Sequence, residues 1–563
     1  IRAEHKKLLD LVAERDIQWR LDATSLIPWL FRPCTVRVLL VTDGALDFGS
    51  GGFGLRTFVE TLLDGAGFYA RFEITLAHIA NRGGDQMMAG DGRIADRIPS
   101  FRFDDTDHFT ADRYDQVWLF GIETTYANRR ISNDDTPTLL PAEVEALGAF
   151  MDGGGGLFAT GDHGALGKAL CSAVPRARSM RLWDNSSNNN LTNEVSMNGP
   201  RRNDTNRRGH DAVSQFNDQS DDIPQTIEPK LYRRYGPFIW GATVFPHPLL
   251  CGPDGVIDVM PDHPHEGECV EPANPSIAEF PDSTDGSPRP LPEVVSTNTV
   301  PAGNVSGTKA PTEAHTFGGV CAYDGHRADR GRVVTDATWH HFVNINLVGD
   351  AGASGAKSMG FLATASGQAH LAAIQAYYRN VAVWISRSQN VRCMNNHILW
   401  HLVWNDRVIE AVATRGDLTF DDVRYPFLWE LGKHARDVLG RYAGRCQSYE
   451  YVIDILAPLL PIELRLAIHP WWPDPPRPEP DPVPWLDIEP LLDSALGGAV
   501  LAIRERYPVP PDGEADVDAD AVAEIAAYGA ERAVSMALED LAALVDLDTL
   551  VSAVTHGAGK KGD

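Results

Sequence analysis

The chain has 563 residues, which at about 150 residues per domain corresponds to three or four domain-sized units. A hydrophobic share of 43% with 23% charged residues is globular composition and excludes wholesale disorder, collagen and a disulfide-dense miniprotein. Against 50 Lys and Arg stand 77 Asp and Glu, a net charge of −27, so phosphate backbones are repelled and nucleic acid is not an expected partner.

No apolar run approaches the roughly 18 residues a membrane helix needs, so no membrane partner is expected either. The seven cysteines at 34, 171, 251, 269, 321, 393 and 446 are few, odd in number and free of any CxxC pair. A zinc ribbon is not indicated, and a reducing, cytoplasmic location is the simplest expectation. The sequence begins at Ile1 rather than methionine, so residues upstream are not excluded.

In chain order, residues 1–34 predict a leading helix at 4–20 and a Pro-punctuated connector. Residues 35–44 form a nearly continuous apolar run, the pattern of a parallel strand buried on both faces. A Gly-rich turn at 49–54 precedes a helix at 55–63 and strands at 71–80 and 116–123. A helix with Pro141 in its first turn follows, then a strand at 157–163 and a short helix at 164–174. Strands alternating with helices predict an α/β fold, a three-layer open parallel sheet, over residues 35–355. Two polar stretches, 184–236 and 272–316, are expected as inserted loops, the first a surface loop or lid, with strands resuming at 294–299, 317–323 and 332–335. From about 356 the apolar spacing becomes helical, with segments at 370–386, 394–412, 426–443 and 449–459. A Pro-rich linker, 470–484, separates the 356–469 region from an acidic helical one at 485–563.

In an open parallel sheet, ligands bind outside the carboxyl ends of the strands. Those ends carry Asp43, Glu123 and the Asp162-His163 pair, and the late strand runs on into Asp336-Ala-Thr-Trp-His340-His341. Asp162 and His163 occupy a glycine-flanked strand-to-helix corner, Thr160-Gly161-Asp162-His163-Gly164. Such a corner holds the nucleophile in α/β hydrolases, but here the apex is not Ser or Cys. A polar helix start is the plain alternative.

The densest polar cluster, Pro261-Asp262-His263-Pro264-His265-Glu266-Gly267-Glu268, could bind zinc or iron or supply acid/base groups; a solvated loop is the alternative. Of His340 and His341, one should face the cleft and the other the body of the protein. His397 and His401 have the i,i+4 spacing of a zinc helix, but with apolar neighbours and no HExxH glutamate they predict packing. The turn at 49–54 lacks the Lys-Ser/Thr of a P-loop and predicts a turn rather than a phosphate cradle. The Trp471-Trp472 pair and the acidic run 514–520 predict a linker anchor and a solvated loop.

The first strand, the Gly-rich corner at 153–164, His247-Pro248-Leu249-Leu250-Cys251-Gly252, and Gly331-Arg332-Val333-Val334 leading to Trp339-His340-His341 occur in an order that resembles the class I glutamine amidotransferase-like fold. Within it, the chain resembles the trehalose-utilisation (ThuA-like) group over roughly residues 35–349. The resemblance implies a cleft for a sugar or other small molecule. The amidotransferase cysteine is absent from the corner, so glutaminase activity is not expected.

These readings lead to a hydrolase acting on a sugar-like or other small polar substrate, metal-assisted or by acid/base chemistry. His263, His265 and His340 would hold a divalent metal. Asp162, His163, Glu266, His340 and His341 would form the catalytic set. The competing expectation is a catalytically silent binding or scaffold protein, whose helical C-terminal third joins it to a protein partner or to copies of itself.

Overall fold

The structure is a computed structural model. It describes residues 33–44, 46–66, 69–121, 139–161, 167–183, 225–234, 243–252, 255–261, 267–300, 302, 314–353, 355–405, 408, 419–442, 452–453, 489–507 and 519–558. The described strands of the central sheet are β1 (Cys34–Thr42), β2 (Ala70–His78), β3 (Asp96–Pro99), β4 (Gln116–Gly121), β5 (Gly156–Gly161), β6 (Arg181–Leu182), β7 (Glu228–Pro229), β8 (Glu268–Cys269), β9 (Glu293–Val300), β10 (His315–Tyr323) and β11 (Val333–Asp336). The helices are α1 (Arg56–Leu63), α2 (Pro141–Asp152), α3 (Lys168–Cys171), α4 (Ala177–Met180), α5 (Asn344–Leu347), α6 (Ala365–Trp384), α7 (Ser388–Val403), α8 (Tyr425–Tyr442), α9 (Glu489–Arg506) and α10 (Ala519–Ala558).

These eleven strands form one sheet ordered β3-β2-β1-β4-β5-β11-β10-β8-β6, with β9 paired to β10 and β7 to β9. From β3 to β11 every pairing is parallel; beyond β11 every pairing is antiparallel. The sheet is therefore mixed, though mostly parallel, and the expectation of an all-parallel sheet is corrected. The reason is local. Only nine residues, 324–332, separate β10 from β11, fewer than the dozen or so a parallel crossover requires. The same strands, read as short apolar runs, carry no direction in their sequence.

Alternation along β1 sends its side chains to two different cores. Val36, Val38 and Leu40 join Phe58, Trp118, Phe158, Tyr377 and Tyr378 on one face; Leu39 and Val41 join Val117, Leu119, Phe101 and Phe150 on the other. This double burial is why the run lacks polar alternation. At about 1.5–3 kcal/mol for each large apolar side chain buried, these two faces supply the main driving force for the sheet. A third core gathers α8, α9 and α10 around Leu428, Leu431, Leu496 and Val500. Helix α7 joins the cores: Met394 lies in a sheet core, whereas Ile398, Leu399 and Leu402 lie in the helical one.

Several boundaries differ from the sequence expectation. Strand β3 falls in a stretch with no strand pattern, and α7 stops at Val403 rather than near 412. Within the polar stretch 184–236, the described residues 225–234 form short strands, one of which, β7, joins the sheet. The leading helix, the Pro-rich linker, Trp471-Trp472 and residues 514–518 of the acidic run lie outside the described residues, while Ala519 and Asp520 of that run open α10. No described helix is long and apolar enough to cross a membrane.

Candidate functional site

The parallel registers set four strand ends side by side. Thr42 pairs with Phe120, Gly121 with Gly161, and Thr160 with Asp336, so β1, β4, β5 and β11 finish along one rim. At about 4.8 Å per strand, Asp43 after β1 and Asp336 closing β11 are about 14 Å apart across it. Both residues are buried.

Glycines allow the chain to turn tightly at this rim. Gly167 has φ +83°, and a Cβ there would lie 3.2 Å from the Gly161 Cα; a Cβ on Gly121 would lie 2.9 Å from the Gly167 Cα. The chain thus leaves β5 at Gly161 and re-enters α3 packed backbone to backbone against the ends of β4 and β5. Asp162 and His163, between these glycines, lie outside the described residues, as does Glu123.

Arg181, buried and stacked 4.4 Å over Trp183, donates Nη2–H bonds to the carbonyls of Gly161 and Ala337, the latter at 2.9 Å. Gly267 fits against the same Ala337 carbonyl and Arg181 guanidinium, where any Cβ would collide. The chain that follows the His-rich cluster is therefore at the end of β11, three residues before His340. His263, His265 and Glu266 themselves lie outside the described residues.

The best-defined chemistry stands at the end of β11. The Asp336 carboxylate faces His341 Nδ1 at 2.8 Å through Oδ1 and 3.1 Å through Oδ2. It also accepts the Thr338 amide N–H at 3.1 Å and the Tyr377 hydroxyl at 2.8 Å. All three side chains are buried, at 0% exposure for Asp336 and Tyr377 and 1% for His341. Burial, reinforced by Asp336, pushes the Tyr377 hydroxyl well above its usual pKa, so it remains a donor. A carboxylate opposite Nδ1 assigns the imidazole proton to that nitrogen and leaves Nε2 as the basic one. Tyr378 donates its hydroxyl to the His341 carbonyl.

The local sequence builds this turn. Thr338, extended and ahead of a 3₁₀ turn at Trp339–His341, accepts the His340 amide N–H on its hydroxyl at 3.0 Å. Trp339 and Phe342 then anchor the turn in the core. His340 is also buried and stacks on Trp339 with ring centroids 4.1 Å apart. Asn346 donates to the His340 carbonyl at 3.0 Å. Among the described residues, Asp336 thus pairs with the second histidine of this turn, His341.

Phe53, on the Gly-rich turn, is 51% exposed and meets Trp339 edge-on at 6.0 Å, which gives this end of the rim an aromatic surface. Several amides in and just after this turn are already used: Gly49 N–H by Asp47, Ser50 N–H by Asp85, Gly54 N–H by the Gly51 carbonyl, Leu55 N–H by the Asp47 carbonyl, and Thr57 N–H by Asn344 Oδ1. The other end of the Asn344 side chain donates to the carbonyls of Gly49 and Gly51 at 3.0 and 2.7 Å, clamping the loop shut.

The His247–Gly252 motif is structural. His247 Nδ1 accepts the Leu249 amide N–H at 3.3 Å, its ring packs on Trp384, and Asn380 donates to the carbonyls of Leu249 and Cys251. His397 and His401 are buried on α7, as packing predicted. His397 nevertheless has particular company. Among the described residues one group of His, Cys, Asp and Glu side chains is close enough to hold a metal ion, and it is Cys34, Cys393 and His397, whose ligand atoms lie within 4.8 Å of one another. Here Cys34 and Cys393 are joined in a disulfide, and Cys251 is disulfide-bonded as well. The few, widely spaced cysteines, from which a reducing compartment was expected, gave no sign of these bonds. Partners 359 residues apart leave no spacing pattern to read.

Sequence reasoning had not assigned roles to Asp336, Tyr377, Arg181 or Asn344. Asp336 carried a signal, a carboxylate ending a buried strand five residues before His341; Tyr377 arrives from a distant helix and carried none. In comparisons with known proteins, no family model, no curated protein and no solved structure matches this chain.

Proposed function

We propose that the chain is a hydrolase for a small polar substrate, bound across the rim formed by β1, β4, β5 and β11. The observation that carries this reading is the buried Asp336–His341 pair at the carboxyl end of β11. A carboxylate-oriented imidazole is suited to take a proton from an attacking water through Nε2, or to ligate a metal that activates that water. The half-exposed Phe53 beside Trp339 adds an apolar surface for a substrate with both ring and hydroxyl faces, such as a sugar.

Asp162, His163, His263, His265 and Glu266 remain candidates for the rest of the set. Support comes from their described neighbours: Gly161, Gly267 and Ala337 all meet at Arg181. If a zinc or iron ion takes part, His263, His265 and His340 are its proposed ligands. The flavodoxin-like layering belongs to the same proposal. With the short β3 set aside, the order β2-β1-β4-β5-β11 follows the 2-1-3-4-5 pattern of doubly wound sheets. The ThuA-like resemblance is retained on the same footing. Disulfides persist in oxidising surroundings, which weighs against the reducing compartment expected from the cysteine count.

A panel of p-nitrophenyl esters and glycosides tests the reading. Turnover by the intact chain should fall by about 10²–10⁴ in His341→Ala, as expected for loss of a general base. Unchanged rates in that variant would remove the assignment. Absence of turnover across the panel would instead favour a binding module, a reading that the near-complete burial of His341 also supports.

A further inference from the structure

Cys34, Cys393 and His397 form a cluster remote from the rim. Cys34 opens β1, whose nine residues place it about 26 Å from the strand's carboxyl end. Cys393 and His397 are four apart on α7 and so share one face of that helix. We propose that this cluster is a redox-gated zinc site: closed as a disulfide when oxidised, and able to take one Zn²⁺ on two thiolates and an imidazole when reduced.

The ligand set is the first argument. Two sulfurs and one imidazole nitrogen suit a borderline-soft ion, and three protein ligands leave a fourth position for water. Geometry is the second. A tetrahedral zinc with Zn–S bonds of about 2.3 Å separates its two sulfurs by about 3.8 Å. Atoms already within 4.8 Å of one another need only a small adjustment once the S–S bond opens.

The third argument is preorganisation. The Cys34 amide donates to the Tyr69 carbonyl at 3.0 Å, and Asn390 on α7 donates to the Thr35 carbonyl at 3.4 Å. Strand and helix are thus held together independently of the covalent link. Cys393 is only half-buried, which admits a reductant, while Cys34 and His397 are buried.

The chemistry balances with a dithiol as reductant. The dithiol gives up two electrons and two protons and becomes its own cyclic disulfide; the Cys34–Cys393 bond breaks to give two thiols. Metal binding then releases those two thiol protons to solvent.

Cobalt(II), whose thiolate complexes show a charge-transfer absorption, reports on the site, with zinc then displacing it. The full chain, freed of metal and treated with dithiothreitol, should bind one more equivalent than the oxidised chain, with that absorption. Cys393→Ser should abolish this equivalent, and His397→Ala should weaken it by at least tenfold. Equal binding by the oxidised and reduced wild-type chain, a comparison that needs no variant to fold, would overturn the proposal. So would undiminished binding in a Cys393→Ser protein whose circular dichroism matches wild type.

Discussion

Asp336 illustrates how a single buried carboxylate organises its surroundings. With an amide, a hydroxyl and an imidazole all pointed at it, its charge is compensated, and each donor is fixed in return. Replacing Tyr377 by Phe removes one hydrogen bond to a charged group and should lower stability by about 1.5–3 kcal/mol in urea unfolding. Histidines buried without charge make a second prediction. Burial lowers His78 and His401 to about 4 and His247 to about 3. All three folded values lie below the unfolded value near 6.5, so the unfolded chain binds these protons first. Their contribution is whole above pH 6.5 and is lost as pH falls toward 4, by about 1.4 kcal/mol per pH unit for each histidine. Urea midpoints between pH 7.5 and 4.5 should show this decline; a flat profile would contradict it. At this scale the sequence was only partly legible. His340-His341 at a strand end stood out, but their division of labour depended on Tyr377 and on the Asp336 side chain, which only the packed fold brings to one point.

Helices and strands carry different constraints. Where α8, α9 and α10 cross, glycines bring the backbones together: a Cβ on Gly497 would run into the Leu428 carbonyl, and one on Gly498 into the Gly529 carbonyl. Gly498→Val should therefore destabilise the chain by about 3 kcal/mol or more, since neither backbone can yield without separating the helices. A thermal melt beside wild type measures it. The disulfide adds a covalent constraint on β1 and α7. Its loss in Cys393→Ala should lower stability by about 2–5 kcal/mol, read as a shift in the guanidinium midpoint. Most of these elements were readable because their apolar periodicity is strong, as in β1 and in the pattern of α8. Strand β3 was hidden because four residues, Asp-Arg-Ile-Pro, bury one side chain and pair along a single edge. Strand direction was hidden for a different reason: it follows from connector length, not from the residues of the strand.

Across the whole molecule, α7 contributes to one sheet core and to the helical core. A cavity made in it is felt on both sides. Ile398→Ala, expected to remove about 2–5 kcal/mol, should accelerate amide exchange in β1 as well as in α9; a response confined to α9 would mean that the two regions unfold independently. The net charge of −27 acts at the same scale. Like-charge repulsion favours expansion, and salt screens it over about 10 Å at 0.1 M.

The bond between Cys34 and Cys393 also sets an order of events during synthesis. Cys34 emerges 359 residues ahead of its partner, a delay of about 20–70 s at ordinary translation rates. In that interval the thiols at 171, 269 and 321 are made first, and each is a wrong suitor until it is sequestered in the interior. A cell that makes this protein must therefore shelter the Cys34 thiol, or rely on an isomerase to undo premature crosslinks, until Cys393 has been translated.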